Sequence, residues 1–196
     1  MNNLNEAFKK AYDITMKLEG GYSNHSSDRG GETYKGISRV FHKNWLGWVI
    51  VDSYTNKQNL QKDINLQKEV KSFYKKNYWD KVNLDIISNY LPECSLELFD
   101  IAVNMGSNKA GNILQRALNI LNRNEKLYSD LETDGIVGNK TINSIDKYIS
   151  YVREHEPEAL LLKLISLLKA KHYIDIVEAN KTQEVFIRGW LKRIKI

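Results

Sequence analysis

Apolar residues recur every three or four positions along most of this chain, and only two prolines, Pro92 and Pro157, interrupt its 196 residues. That spacing commits the chain to helices, because a half-buried strand would alternate instead. Residues 3–19 predict the first helix. Leu4, Phe8, Tyr12 and Met16 form one stripe, with Ala11, Thr15 and Leu18 beside it, and Gly20 and Gly21 stop it. Residues 61–79 read as helix through Leu66, Val70, Phe73 and Tyr74. Pro92 suits a first helical turn ahead of Leu96, Phe99 and Val103. More helices are expected through Ile113, Leu114, Ala117, Leu118 and Leu121, over about 158–179, and over Phe186, Trp190 and Ile194. Residues 134–141 read as a glycine-marked turn and a helix start. The exception is 20–60, rich in Gly, Ser, Asn and aromatic residues, which predicts loops and short strands with a turn at 27–31. The expected fold is mainly α, a helical bundle with a small irregular or β region near residues 20–60. A soft boundary near residue 92 without a flexible linker predicts two regions, 1–92 and 93–196, packed as one unit.

Composition narrows the partners. The net charge is +5 and it is uneven: residues 1–80 hold 13 Lys/Arg against 9 Asp/Glu, and the rest is nearly balanced. A basic first half is compatible with nucleic acid, anionic lipid or a wall polymer. The excess is modest and no nucleic-acid recognition motif is present, which argues against nucleic acid. Cys94 is the only cysteine, so no intrachain disulfide forms. The four histidines, His25, His42, His155 and His172, are scattered, so no metal site is expected. The N-terminus lacks the cationic and apolar run of a signal peptide. The most apolar stretch, 159–168, is broken by Lys163 and is too short to span a bilayer. The expectation is a monomeric chain made in the cytoplasm, with no cofactor and no membrane insertion.

Chemistry concentrates between residues 17 and 38. Glu19 falls at a helix end among apolar neighbours, Asp28 follows nine residues later, and Thr33 five after that. Partial desolvation raises a carboxyl's pKa, and the C-terminal end of a helix dipole pushes the same way. A Glu kept protonated near neutral pH can give its proton to a glycosidic oxygen. A second acidic group across a cleft can hold a water or steady positive charge on a sugar. A threonine hydroxyl can orient that water. On residue types alone, a Glu at a helix end is more often a solvated charge and an Asp such as Asp28 more often a turn former.

The motifs themselves resemble a known family. Glu19-Gly20-Gly21-Tyr22, Asp28-Arg29-Gly30-Gly31-Glu32-Thr33 and Gly36-Ile37-Ser38 are similar to the signature of glycoside hydrolase family 108. These are bacterial and phage N-acetylmuramidases, some called secretion-activating proteins. The stretch from Phe99 to Gly106, Leu114-Gln115-Arg116-Ala117-Leu118-Asn119, and Asp134-Gly135-Ile136-Val137-Gly138 with Thr141 resemble the family's C-terminal predicted peptidoglycan-binding region. So does the ending from Phe186 to Leu191. The likeness runs over nearly the whole chain. Arg29 stands where family members often carry proline, and His25 where they often carry aspartate.

The resemblance implies a lysozyme-like α+β fold and cleavage of the β-1,4 bond between N-acetylmuramic acid and N-acetylglucosamine in peptidoglycan. Glu19 matches the catalytic acid, with Asp28 and Thr33 beside it. It implies action at the cell wall or periplasm, after release or export by another system. Tyr22 and Tyr34 are candidate sugar-stacking residues, as are Trp45, Trp48 and Tyr54, although core packing suits each of them too. Asp100 and Asn104, one helical turn apart, either line a cleft or tie helices together. Glu32 and His25 are lesser candidates. The alternatives are a lytic transglycosylase on the same bond and a non-catalytic wall-binding or secretion-accessory protein.

Overall fold

The computed structural model describes residues 3–17, 20–24, 31–152 and 157–194. Nine α-helices and one small sheet occur among these residues. Helix α1 (Asn3–Met16) buries Phe8, Ala11, Tyr12 and Thr15, the stripe its spacing predicts. Strands β1 (Tyr22–Asn24), β2 (Glu32–Tyr34) and β3 (Ile37–Ser38) form an antiparallel sheet in that order. Lys35 and Gly36 join β2 to β3 with φ of 46° and 75°. A two-residue hairpin loop with both φ positive matches the strands' twist.

The strand region is shorter than the sequence predicts. Residues after Ser38 turn helical, with α2 (Gly47–Ser53) followed by a 3-10 segment (Lys57–Lys62). Trp48 and Val51 lie one turn apart in α2 and both are buried, so the local period is helical and not alternating. Asp63 then caps α3 (Ile64–Tyr74) by accepting a 2.8 Å bond from the Leu66 amide. A π-helical turn (Lys75–Trp79) and the short α4 (Leu84–Ile87) lead to α5 (Pro92–Met105).

Helix α5 is the hub. It packs against α1, against α6 (Ser107–Ile120) and against α8 (Pro157–Ala179). Its residues from Cys94 to Phe99 are all buried, as expected of a helix surrounded on every side. Phe8 of α1 meets Phe99 of α5 at 5.8 Å and Trp79 at 5.3 Å, both edge to face. The amides of Glu93 and Cys94, which have no partner inside α5, are taken by the Glu158 carboxylate at 2.7 and 3.0 Å. Helix α7 (Asn139–Val152) begins just after the Gly135–Gly138 turn, as the sequence predicts. Helix α9 (Glu184–Leu191) ends three residues earlier than Ile194. The buried residues form one continuous core running from α1 to α8, without a gap near residue 92.

Candidate active site

The sheet has two chemically different faces. Directly opposed residues on neighbouring strands share a face. The register pairs Tyr22 with Tyr34 and Tyr34 with Ile37 on one face, where Tyr34 and Ile37 are buried. It pairs Ser23 with Thr33 and Thr33 with Ser38 on the other. Thr33 therefore sits in the middle of a row of three hydroxyl side chains, on the face turned from the aromatic core. Its strand is fixed at both ends. Gly31 enters β2 with φ of 60°, and a Cβ there would stand 3.0 Å from Val40 Cγ2. Beyond the strand, the Lys35 amide donates to the Gly21 carbonyl at 3.0 Å.

A charged brace holds the same strand. Glu32 accepts from the Tyr22 hydroxyl at 3.0 Å and pairs with Arg39 Nε at 2.6 Å. Arg39 bonds Asp52 through both terminal guanidinium nitrogens, and its guanidinium carbon lies 4.3 Å from the Trp48 ring centroid. The Arg39 hydrogen bonds hold the Asp52 carboxyl below its usual range. Burial, with the Glu32 carboxylate beside it, pushes the Tyr22 hydroxyl up. Glu32 is thus tied to Tyr22 by a hydrogen bond and to Arg39 by an ion pair, and it anchors the strand. Sequence reasoning missed Arg39 and Asp52, because a pair thirteen residues apart across a bend leaves no periodic signal.

The predicted site residues separate into groups. Glu19, Asp28 and His25 lie outside the described residues, as does most of the expected turn at 27–31. Lys17, just after α1, and Gly20, ahead of β1, are the nearest described residues on either side of Glu19. Thr33 and Tyr22 stand on adjacent strands, and the Tyr22 ring carries Lys57 Nζ at 5.6 Å.

One expectation needs correction. Tyr34 is fully buried, and its hydroxyl accepts from Gln67 Nε2 at 2.9 Å, so it is a core residue and no sugar can stack on it. Asp100 lines a cavity of about 210 Å³ with Thr15, Leu96 and Arg193, and its carboxylate also ties helices together. One oxygen accepts from Lys169 Nζ at 2.8 Å, and the other from Arg193 at 3.1 Å and Asn104 at 3.2 Å. Asn104 remains exposed on the same helix.

The aromatic candidates divide as well. Trp48 is buried, and Tyr54 donates to Asp63 at 2.8 Å. Trp45 lines an open groove of about 460 Å³ with His42, Leu46 and Phe41, a residue 72% exposed. Among the described residues no group of His, Cys, Asp and Glu is arranged to hold a metal ion, and no helix is long and apolar enough to cross a membrane.

Residues 12–106 match the family model described as glycosyl hydrolase 108, and residues 109–195 match the predicted peptidoglycan domain. The junction falls at the Gly106 turn between α5 and α6. No curated protein matches the chain. Among solved structures, SagA of Brucella abortus is similar over 97% of this chain and 90% of its own, at 21% identity and a TM-score of 0.63. That likeness is one of fold.

Proposed function

We propose, on the premise that residues 12–106 belong to the glycosyl hydrolase 108 family and residues 109–195 to the predicted peptidoglycan domain family, that this glycoside hydrolase is an N-acetylmuramidase. Its substrate is peptidoglycan, cut at the β-1,4 bond between N-acetylmuramic acid and N-acetylglucosamine. Glu19 protonates the glycosidic oxygen as the sugar C1–O bond breaks. Water adds to C1 and returns its proton to the Glu19 carboxylate or to Asp28. Asp28 steadies the positive charge on the sugar or holds that water, and Thr33 orients it. Tyr22 and Asn104 contact the glycan. The reaction needs no cofactor.

The observation that carries this reading is the polar face of the sheet. Thr33 lies at the centre of the Ser23–Thr33–Ser38 row, on a strand immobilised by Glu32, Arg39 and Asp52. A water-positioning hydroxyl must be held this rigidly, because a small misplacement of a reacting group costs large factors in rate. Residues 1–92 carry the catalytic region in this account, and 93–196 the helical peptidoglycan-facing region packed on it. The protein works as a monomer at the cell wall.

Mass spectrometry of products from purified peptidoglycan tests the reaction type. Hydrolysis yields fragments with a reducing-end muramic acid. Fragments lighter by one water, carrying an anhydro ring, would replace the hydrolase with a lytic transglycosylase. Wall binding without any fragments would replace the enzyme with a binding protein.

A further inference from the structure

The near balance of charge beyond residue 80 hides a second basic concentration. Residues 180–196 hold five Lys/Arg against one Asp/Glu, a net +4 within a chain of +5. The same stretch contains helix α9, in which five of eight residues are Val, Phe, Ile, Trp or Leu. A helix this apolar normally buries a stripe against the rest of the protein. None of the α9 residues is buried.

Aromatic stacking moors the helix. Trp190 stacks on the buried Tyr173 of α8 at 5.1 Å. Phe186 stacks in turn on Trp190 at 5.9 Å, and it is 53% exposed. Val185 is 77% exposed. Val185, Phe186, Gly189 and Trp190, at i, i+1, i+4 and i+5, share one side of the helix. With Lys192 and Arg193 they line an open cleft of about 400 Å³. A Cβ on Gly189 would meet nothing within 4 Å, so this side opens to solvent. Arg188 and Lys192, four apart and both exposed, run along its edge. Arg193 is held by Asp100 and belongs to the packed body.

We propose that α9 docks the protein on a membrane surface, lying flat on a bilayer that contains anionic phospholipid. Val185 and Phe186 enter the boundary between headgroups and acyl chains, and Arg188 and Lys192 meet the lipid phosphates. Docking of this kind does not require a spanning segment, and no described helix is long and apolar enough to cross a membrane. Charge decides among the possible occupants. A second copy of the chain would set this basic side against itself, and like charges repel. A soluble polyanion would pair with Arg188 and Lys192 but leave Val185 and Phe186 in water. An anionic bilayer satisfies both. The assignment is independent of the muramidase reading, since docking involves no glycan.

The test is co-sedimentation of the full chain with vesicles of phosphatidylglycerol and phosphatidylcholine in equal parts, against vesicles of phosphatidylcholine alone. The wild type is expected to bind the anionic vesicles about 10-fold more strongly or better, and to bind them less as salt rises. Arg188→Ala with Lys192→Ala is expected to weaken that binding about 10-fold or more. Val185→Ser with Phe186→Ser is expected to weaken it by a similar factor, because the apolar contact is lost. Neither pair removes a buried side chain, and melting temperatures check that each variant is folded. A wild type that ignores anionic vesicles, or folded variants that bind them equally well, would overturn the proposal. Binding lost in the alanine pair and kept in full by the serine pair would also overturn it, replacing the bilayer with a polyanion held by charge alone.

Discussion

Lys169 shows what a single buried residue does here. Its ammonium is fully buried and bonds Glu97 at 2.7 Å, Asp100 at 2.8 Å and the Arg193 carbonyl at 3.0 Å. Each of its three protons has an acceptor, and it joins α5, α8 and the C-terminal segment. Removing one member of such a group leaves uncompensated charge in the core. Lys169→Met is expected to cost about 3–5 kcal/mol in urea denaturation, whereas an exposed lysine such as Lys171 should cost under about 1 kcal/mol when lost. Asp52 acts in the opposite environment, exposed and paired with Arg39. Its carboxyl is held below the ordinary 3.8 in the folded state, so its contribution is fully present above that value and vanishes as pH falls through the lowered one. Acid unfolding followed by fluorescence should show Asp52→Asn less stable than wild type near neutral pH, with the difference closing in strong acid. The Asp100–Asn104 turn was readable from spacing. Lys169, sixty-nine residues from Asp100, was not, because no local pattern marks a charge destined for the core.

At the scale of elements, a stripe of amide side chains on α6 (Asn108, Asn112, Gln115 and Asn119) holds the irregular stretch 131–135 by its backbone. It depends on a close approach. A Cβ on Gly111 would run into the Gly135 carbonyl, and Gly135 itself holds φ of 80° beside Asn108. Gly111→Ala is therefore expected to destabilise the chain by about 1–3 kcal/mol, although alanine favours helices elsewhere, and thermal melting would show it. Sequence periodicity located α1, α3, α5, α6 and α8, whose buried stripes are long enough to register. It located the turn at 134–138 through its glycines. It did not find α2, whose seven residues bury Trp48 and Val51 and expose Val49, too little repetition to separate from a strand. Nor did it foresee that Asn108, Asn112, Gln115 and Asn119 act together, since polar residues on a helix usually read as its solvated side.

Across the whole molecule, one core centred on α5 carries both halves of the chain. Phe8 from the first half reaches Phe99, and Glu158 from the second caps α5. The sheet and the C-terminal helices thus belong to one packed body. The mainly α fold with a small strand region was legible in the sequence, and so was the family, because its motifs occur in order from Glu19 to Leu191. The buried fate of Tyr34 was not, since an aromatic in a glycine-rich stretch has the same local signature whether it faces solvent or core. The most direct test of the central claim is the clearing of purified peptidoglycan by wild type and Glu19→Gln, with melting temperatures compared. Glutamine keeps the size of glutamate and cannot act as the acid. The account predicts an equally folded variant whose turnover falls by about 100-fold or more. A folded variant that clears the wall as fast as wild type would contradict it.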